Sequence, residues 1–354
     1  MSTVTRTATA LVGLLAVTGL TACGSSSDSK SSSGTAATSA SAPKEVRLGY
    51  FPNVTHAVPI VADAEGFYTK HLGTTALKVS TFNAGPAAME ALKSGAIDAT
   101  YVGPGPATSA YLNSKGEAVR VVAGAALGGS ALVVDSSITS PDQLKGTKIA
   151  TPQLGNTQDI ALRFYLKEKG FTTDLQGGGD VTIAPQENSA ILDSFGQKAI
   201  NGAWVPEPYV TRLVALGGHV LVDEKTLWPD GKFPTTVLAV NPKFLTDHPD
   251  TVKAILAGQL DAESFISSSA DQAQKDVGTV IAKVSGKALA PEVISGAWKN
   301  LQFTNDPVAG AIATGADHAY AVGILTSKPD LANLVDLSLL NSVLKAAGKP
   351  EVAS

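Results

Sequence analysis

The sequence predicts an α/β fold of two similar lobes that face a shared cleft. Three observations predict it. First, one stretch recurs: Ala199-Ile200-Asn201-Gly202-Ala203-Trp204-Val205-Pro206-Glu207-Pro208 matches Ala96-Ile97-Asp98-Ala99-Thr100-Tyr101-Val102-Gly103-Pro104-Gly105 in register, with Leu92 opposite Phe195 and Met89 opposite Leu192 upstream. Each copy reads as amphipathic helix, tight turn, short apolar strand and Pro-punctuated turn. Second, apolar strand-like runs alternate with helical stretches, which argues for a largely parallel sheet. Third, aromatics make up only 6% of the chain against 34 glycines, a composition suited to close strand-to-helix turns.

The length of 354 residues allows two domains of ordinary size. The net charge of -4 and the lack of a basic run argue against nucleic acid as a partner. The single cysteine, Cys23, excludes an internal disulfide and a Cys-rich metal site.

Taken in order, residues 8–20 are almost wholly apolar behind Arg6 and end in Leu20-Thr21-Ala22-Cys23-Gly24. This resembles the lipobox of bacterial lipoproteins and implies a signal peptide over 1–22, cleavage before Cys23 and lipidation of its sulfur. The alternative is an ordinary signal peptide with an incidental cysteine. Residues 23–44 are rich in Ser, Ala, Gly and Thr, bury too little to fold, and read as a tether. The folded body starts at Glu45. Strands are expected at 46–50, 77–82, 99–102, 119–123 and 131–134, with helices near 59–68 and 86–93. These form the first part of lobe one, 45–135. Lobe two, 136–234, holds a strand ending at Ala150, a helix from Gln158 to Lys169 stopped by Gly170, strands near 181–184 and 219–222, and the second echo. Residues 235–354 return to lobe one. Val252, Leu256 and Leu260 mark an apolar helix face there, and these C-terminal helices are expected to pad the outside of lobe one without carrying chemistry. The crossovers are expected near 131–136 and 234–239.

No Gly-Lys-Ser or Gly-Lys-Thr phosphate loop, nucleophile elbow or metal-spaced histidine set is present. Gly177-Gly178-Gly179 lacks the spacing of a dinucleotide fingerprint. What remains is a set of small-polar turns at strand ends leading into helices. They contain Asn53, Thr55 and His56; Asn83 and Gly85; Gly103, Pro104 and Gly105; Gly129 and Ser130; and Gly155, Asn156, Thr157 and Gln158. Helix starts present free N–H groups and partial positive charge, and glycine permits close approach, so together they read as one anion-binding cleft. Singly, each also reads as an ordinary turn or cap. His56 is either a structural loop residue or a ligand contact. Trp204 is either core or a wall for an alkyl group. Glu207 is a hinge or capping residue, or a partner for an ammonium group. Arg163 reads as a surface or ion-pair residue.

Four motifs resemble the substrate-binding proteins of aliphatic-sulfonate, taurine and nitrate ABC importers, the aliphatic-sulfonate branch most of all. They are Gly49-Tyr50-Phe51-Pro52-Asn53-Val54-Thr55-His56-Ala57, Tyr101-Val102-Gly103-Pro104-Gly105-Pro106-Ala107, Thr151-Pro152-Gln153-Leu154-Gly155-Asn156-Thr157-Gln158-Asp159 and Trp204-Val205-Pro206-Glu207-Pro208. The resemblance implies a two-lobed periplasmic-binding-protein-like fold with two crossover strands and hinged closure on a small sulfonate-like anion. It also implies a membrane permease and its ATPase as partners, a monomer, no cofactor, no metal and no catalysis. The expected location is the extracytoplasmic face of the cell membrane, anchored through Cys23. Taurine, nitrate, bicarbonate or a vitamin-like ligand are the alternatives. Pyrimidine-synthesis enzymes share the fold but carry a cysteine-rich motif that is absent after Cys23.

Overall fold

The computed structural model describes residues 42–353, so Cys23 and most of the tether lie outside the described residues. In chain order the elements are β1 (Glu45–Tyr50), α1 (Ala57–Ala64), α2 (Phe67–Leu72), β2 (Ala76–Thr81), α3 (Gly85–Lys93), β3 (Ala99–Val102), α4 (Pro104–Asn113), β4 (Arg120–Gly128), β5 (Ser130–Val134), β6 (Lys148–Thr151), α5 (Thr157–Glu168) and β7 (Thr182–Pro185). Then follow α6 (Asn188–Gly196), β8 (Gly202–Pro206), α7 (Tyr209–Ala215), β9 (His219–Asp223), β10 (Pro234–Val240), α8 (Pro242–Asp247), α9 (Pro249–Ser268), α10 (Ala270–Ser285), α11 (Pro291–Trp298), β11 (Leu301–Phe303), α12 (Ala309–Ala321) and α13 (Ser338–Ala346).

The strands form two sheets, β11-β4-β10-β3-β1-β2 and β7-β6-β8-β5-β9. In the first, β1 runs parallel to β2 and β3, while β10 returns antiparallel between β3 and β4. In the second, β6 runs parallel to β7 and β8, and β5 lies antiparallel between β8 and β9. The sequence echo is therefore structural: α3–β3–α4 in one half repeats as α6–β8–α7 in the other. Met89 and Leu92 are buried in one core cluster, Leu192 and Phe195 in another.

The paired positions also share their chemistry. Asp98 precedes β3 and accepts the Arg47 backbone N–H of β1 at 2.8 Å; Asn201 precedes β8 and its Oδ1 accepts the Lys148 backbone N–H of β6 at 2.8 Å. Each satisfies a backbone donor on the neighbouring strand. Asp98 also accepts from the Arg47 guanidinium Nε at 3.0 Å. Tyr101 and Trp204 are both fully buried, and each buried polar tip finds an acceptor. The Tyr101 hydroxyl donates to Gln259 Oε1 at 2.8 Å, and the Trp204 indole donates to Glu224 Oε2 at 2.7 Å.

Two expectations need correction. β5 pairs in the second sheet, so the chain changes sheets at Gly128-Gly129 rather than near Ser136. Strand composition hid this, because β4 and β5 are both apolar and only the two glycines separate them. The C-terminal helices do not all pad the outside. α9 buries Val252, Leu256 and Leu260 and packs on α1 and α2 as its stripe requires, but α12 packs against α4 and α5, one from each half.

The return passage at Pro234 runs beside the outward one. Gly128 N–H donates to the Phe233 carbonyl at 3.1 Å, and the Thr235 hydroxyl donates to the Gly128 carbonyl. Gly128 and Gly129 both hold positive φ, 76° and 67°. A Cβ at Gly129 would sit 2.4 Å from Leu301 Cδ2, whereas one at Gly146, also at positive φ, would meet nothing within 4 Å. Left-handed backbone costs a non-glycine residue roughly 1–2 kcal/mol, and overpacking adds about 1–3 kcal/mol. Gly146→Ala should therefore cost about 1–2 kcal/mol and Gly129→Ala about 2–5 kcal/mol. Urea denaturation of the two variants checks this, and equal losses would contradict the crowding at the crossover.

Candidate functional site

The ends of β3 and β6 aim two helices at each other from different halves. After β3, Gly103 leads into α4; after β6, residues 152–156 turn the chain into α5. Asn156 caps α5, its Oδ1 accepting the Thr157 N–H at 2.7 Å. The two helix starts then touch. Gly105 N–H donates to Thr157 Oγ1 at 3.2 Å. A Cβ at Gly103 would lie 2.5 Å from that oxygen, and one at Gly105 would lie 3.1 Å from Thr157 Cα. Glycine is required here for close approach, not for an unusual φ. Between these starts there is no gap for the expected anion: the Gly105 N–H is taken by Thr157 Oγ1 and the Thr157 N–H by Asn156 Oδ1. α4 is also donor-poor at its start, since Pro104 and Pro106 have no N–H. The Thr157 hydroxyl, accepting from Gly105, keeps its own proton free to donate.

The loop before α5 is held by a buried ion pair. Asp159 is fully buried and Arg163 is 1% exposed. Asp159 accepts from Arg163 Nε, from Gly155 N–H and from the Thr151 hydroxyl, each at 2.9 Å, while Arg163 Nη1 donates to the Asp174 carbonyl at 2.6 Å. Of the two readings of Arg163, the ion pair is the one found.

Against the joined helix starts lies a cavity of about 40 Å³. Gly105 and Thr108 of α4 and Thr157 and Ile160 of α5 line one part of it, and Ile312 and His318 of α12 another. Glu224, Trp228 and Phe233, from the passage between β9 and β10, complete the wall. Trp228 stacks on Phe233 with centroids 5.8 Å apart, and His318 stacks on Phe164 at 3.6 Å. Burial lowers the His318 pKa, so the ring is neutral at pH 7. Glu224 is 1% exposed. Burial raises its pKa, and the Ser130 hydroxyl and the Trp204 and Trp228 indoles oppose that by favouring the carboxylate. Among the described residues, no Lys or Arg lines this cavity.

Of the expected site residues, Pro104, Gly105 and Thr157 line the cavity, Gly103 touches Thr157, and the buried Ser130 lies beside Glu224. Asn156 serves as a cap, Gln158 is buried in the first turn of α5, and Gly155 opens on a separate groove with Leu154 and Ile324. Asn83 lines another groove with Gln153 and Glu187, and Gly85 backs onto Pro106, whose Cγ would lie 2.3 Å from a Cβ. Neither joins the cavity.

For His56, Trp204 and Glu207 the structure realises the structural one of the two readings, and other expected contacts are engaged within the protein. His56 Nδ1 accepts the Phe51 N–H at 3.3 Å, its ring stacks on Phe51 at 4.4 Å, and burial pushes its pKa down to about 3. It is a neutral loop tie. The carbonyl of Thr55 accepts the Thr236 hydroxyl at 3.0 Å, and Asn53 is buried beside it outside the cavity wall. Trp204 packs with Leu132, Ile149 and Leu162 in the core of the second half and is no wall for a ligand. Glu207 caps α7: it accepts the Thr211 N–H at 3.1 Å and hydroxyl at 3.0 Å, and Asn300 Nδ2 at 2.7 Å. Protein donors thus take the carboxylate that an ammonium group would need. Gly129 is pressed between Leu301 and Glu207.

Sequence reasoning missed Thr108, Glu224, Trp228, Phe233 and His318. One signal was available: Glu224 follows a strand end as the selected turns do, and Trp228-Pro229-Asp230-Gly231 places an aromatic in a turn. His318 carried none, because its helix was read as padding.

The model of the NMT1-like family matches residues 39–282. A protein of Brucella abortus named as a binding protein is 29% identical over 255 residues, 71% of this chain and 76% of its own length. The taurine-binding periplasmic protein of Escherichia coli is 30% identical over 203 residues, 57% of this chain and 61% of that protein. Among solved structures, the alkanesulfonate-binding protein SsuA of Xanthomonas axonopodis pv. citri, bound to MOPS, superposes with a TM-score of 0.68 at 20% identity, over 83% of this chain and 98% of that one. That likeness confirms the two-lobed, periplasmic-binding-protein-like fold.

The buried pair behind α5 gives a prediction of its own. Removing one partner of a buried ion pair leaves an uncompensated charge and costs about 3–5 kcal/mol. Arg163→Met should lower stability by that amount in chemical denaturation, and Arg163→Lys should recover only part of it because the bond to the Asp174 carbonyl depends on the guanidinium fork. A neutral Arg163→Met would show that the pair does not hold the loop.

Proposed function

The chain belongs to the NMT1-like family, and on that premise we propose that it is the substrate-binding protein of an ABC importer, which captures a small organosulfonate between its halves and presents it to a permease driven by an ATPase. One observation carries the reading: helix starts from the two halves converge on one enclosed, mainly apolar cavity, with the Thr108 and Thr157 hydroxyls on its wall. Such hydroxyls are neutral donors that can bind an oxyanion without breaking an ion pair. The apolar wall suits a short carbon chain. The named relatives are binding proteins, one for taurine and one holding MOPS, a sulfonate, which favours capture over catalysis. The cavity lies against both helix starts, and entry by the halves parting about the crossovers at Gly128 and Phe233 is the route this reading takes.

Calorimetry against short alkanesulfonates, taurine, nitrate, bicarbonate and a pyrimidine tests the ligand class. Sulfonate binding is expected. Thr157→Val removes the hydrogen bond joining the halves, worth about 0.5–1.5 kcal/mol, and should weaken binding up to about tenfold. Nitrate, bicarbonate or the pyrimidine binding alone would replace the sulfonate.

The location follows from the N-terminus. We propose that Cys23 is lipidated and holds the protein on the extracytoplasmic face of the membrane, and that the protein works as a monomer. Cys23→Ala should release it from the membrane fraction or leave it unprocessed, as fractionation and intact mass would show. A correctly cleaved Cys23→Ala form that stays on the membrane would remove the anchor.

A further inference from the structure

One helix is rooted in the first half and leans on the second. α12 enters the core of the first half through Ile312, which shares a cluster with Leu92, Val102 and Tyr111. Further along the same helix, Ala316 and Ala319 pack with Ile160 of α5, in the second half. His318, between these two alanines, lays its ring flat on Phe164 of α5, with centroids 3.6 Å apart and planes 9° apart. The Trp228 ring, on the passage that returns the chain to the first sheet, lies 5.5 Å from it. At the end of α12 the Ala321 carbonyl accepts Lys167 Nζ of α5 at 2.6 Å. α12 therefore joins the halves along one wall of the cavity whose other wall carries Gly105 and Thr157.

We propose that α12 is a pH-sensitive latch: His318, stacked on Phe164, holds the halves together while its ring is neutral and lets them part when it takes up a proton. Aromatic and methyl groups around the ring leave little water to solvate a cation. Burial accordingly lowers the proton affinity of His318, against the pull of Asp317 on its own helix and Glu168 on α5. Lys167 on α5 opposes the charge as well, and Glu224 shares the cavity from the returning passage. α4 brings no charged side chain to this wall. Parting the halves returns the ring to water and to its ordinary value of 6.5. The parted state then binds the proton more readily. Closure keeps its full stability above that value and loses it as the pH falls from there toward the lowered one. On the capture reading above, an enclosed solute is released more readily in mild acid.

The Gly105 N–H, bonded across the halves to Thr157 Oγ1, reports parting without any ligand. Its hydrogen-exchange protection, measured by NMR on the ligand-free protein and corrected for the intrinsic rate, follows the ratio of closed to parted molecules. Between about pH 7.5 and about pH 5.5 this protection should fall about three- to tenfold, tenfold being the limit when the parted state alone is protonated. Amides of β10 paired with β3 lie within one half and should keep theirs. In His318→Phe, which keeps a stacking ring that takes no proton, the fall should shrink to less than about twofold. A wild-type Gly105 that is unprotected at the higher pH, or equally protected at both, would overturn the latch. So would a fall as large in His318→Phe, since another group would then be titrating. If that variant does not fold, titration of the His318 ring protons in the wild type decides in its place, and a midpoint at or above 6.5 rejects the latch. None of these outcomes bears on whether a sulfonate binds, so the proposed function is tested separately.

Discussion

Two helix starts meet with no room for a side chain between them, and the arrangement of the molecule follows from that contact. Gly103 and Gly105 let α4 come within hydrogen-bond distance of Thr157 on α5. A residue with a Cβ at either position would drive the helices, and with them the two sheets, apart. The contact is polar and small, one neutral hydrogen bond, so it closes the halves without locking them. A net contribution of about 1 kcal/mol is easily exceeded by a ligand that prefers the closed arrangement. The parts that must not move are secured separately: the loop before α5 by Asp159 and Arg163, and the start of α7 by Glu207.

The electrostatics of the interior are set by burial more than by charge pairing. Two histidines that could have supplied positive charge, His56 and His318, are held neutral because their surroundings cannot solvate a cation. Arg163, the one fully buried arginine among the described residues, pairs its charge with Asp159. An oxyanion in the cavity would thus rely on dipoles, and the charge that is present there, on Glu224, has the wrong sign for a plain anion. The fold is shared with a binding protein for alkanesulfonates, and a fold does not by itself set the identity of a solute.

Much of the architecture was legible because it is written twice. The echo of residues 96–105 in 199–208 carries its own register, and the structure reproduces it down to Asp98 and Asn201, each tying a neighbouring strand through a backbone N–H. Turn glycines and the stop at Gly170 were legible for the same local reason: they are set by backbone conformation, which is a property of the residue itself. The sheet change at Gly128-Gly129 was not, since an apolar run does not say which sheet it joins. Trp204 stayed open between core and wall because its neighbours in sequence, two prolines and a glutamate, suggest a surface, whereas its ring lies in the core. The contribution of α12 was invisible because it is a long-range packing fact: nothing in Ala309–Ala321 signals α4 or α5.

The same distinction explains where the candidate site is built. Glu224, Trp228 and Phe233 all belong to the passage by which the chain leaves the second sheet, and Phe233 is itself bonded through its carbonyl to Gly128 on the outward passage. Wall and hinge are thus one segment. A ligand that touches Glu224 and Trp228 acts directly on the residues whose backbone must turn when the halves part, and its contacts exist in full only when α4 and α5 are brought up against it. Binding energy gained at that segment is therefore differential between open and closed arrangements, which is the condition a ligand must meet to shift the population of either. Donors placed solely on one half would bind a solute without closing anything. On the proposed function, placing the wall on the crossover would make capture and closure a single event.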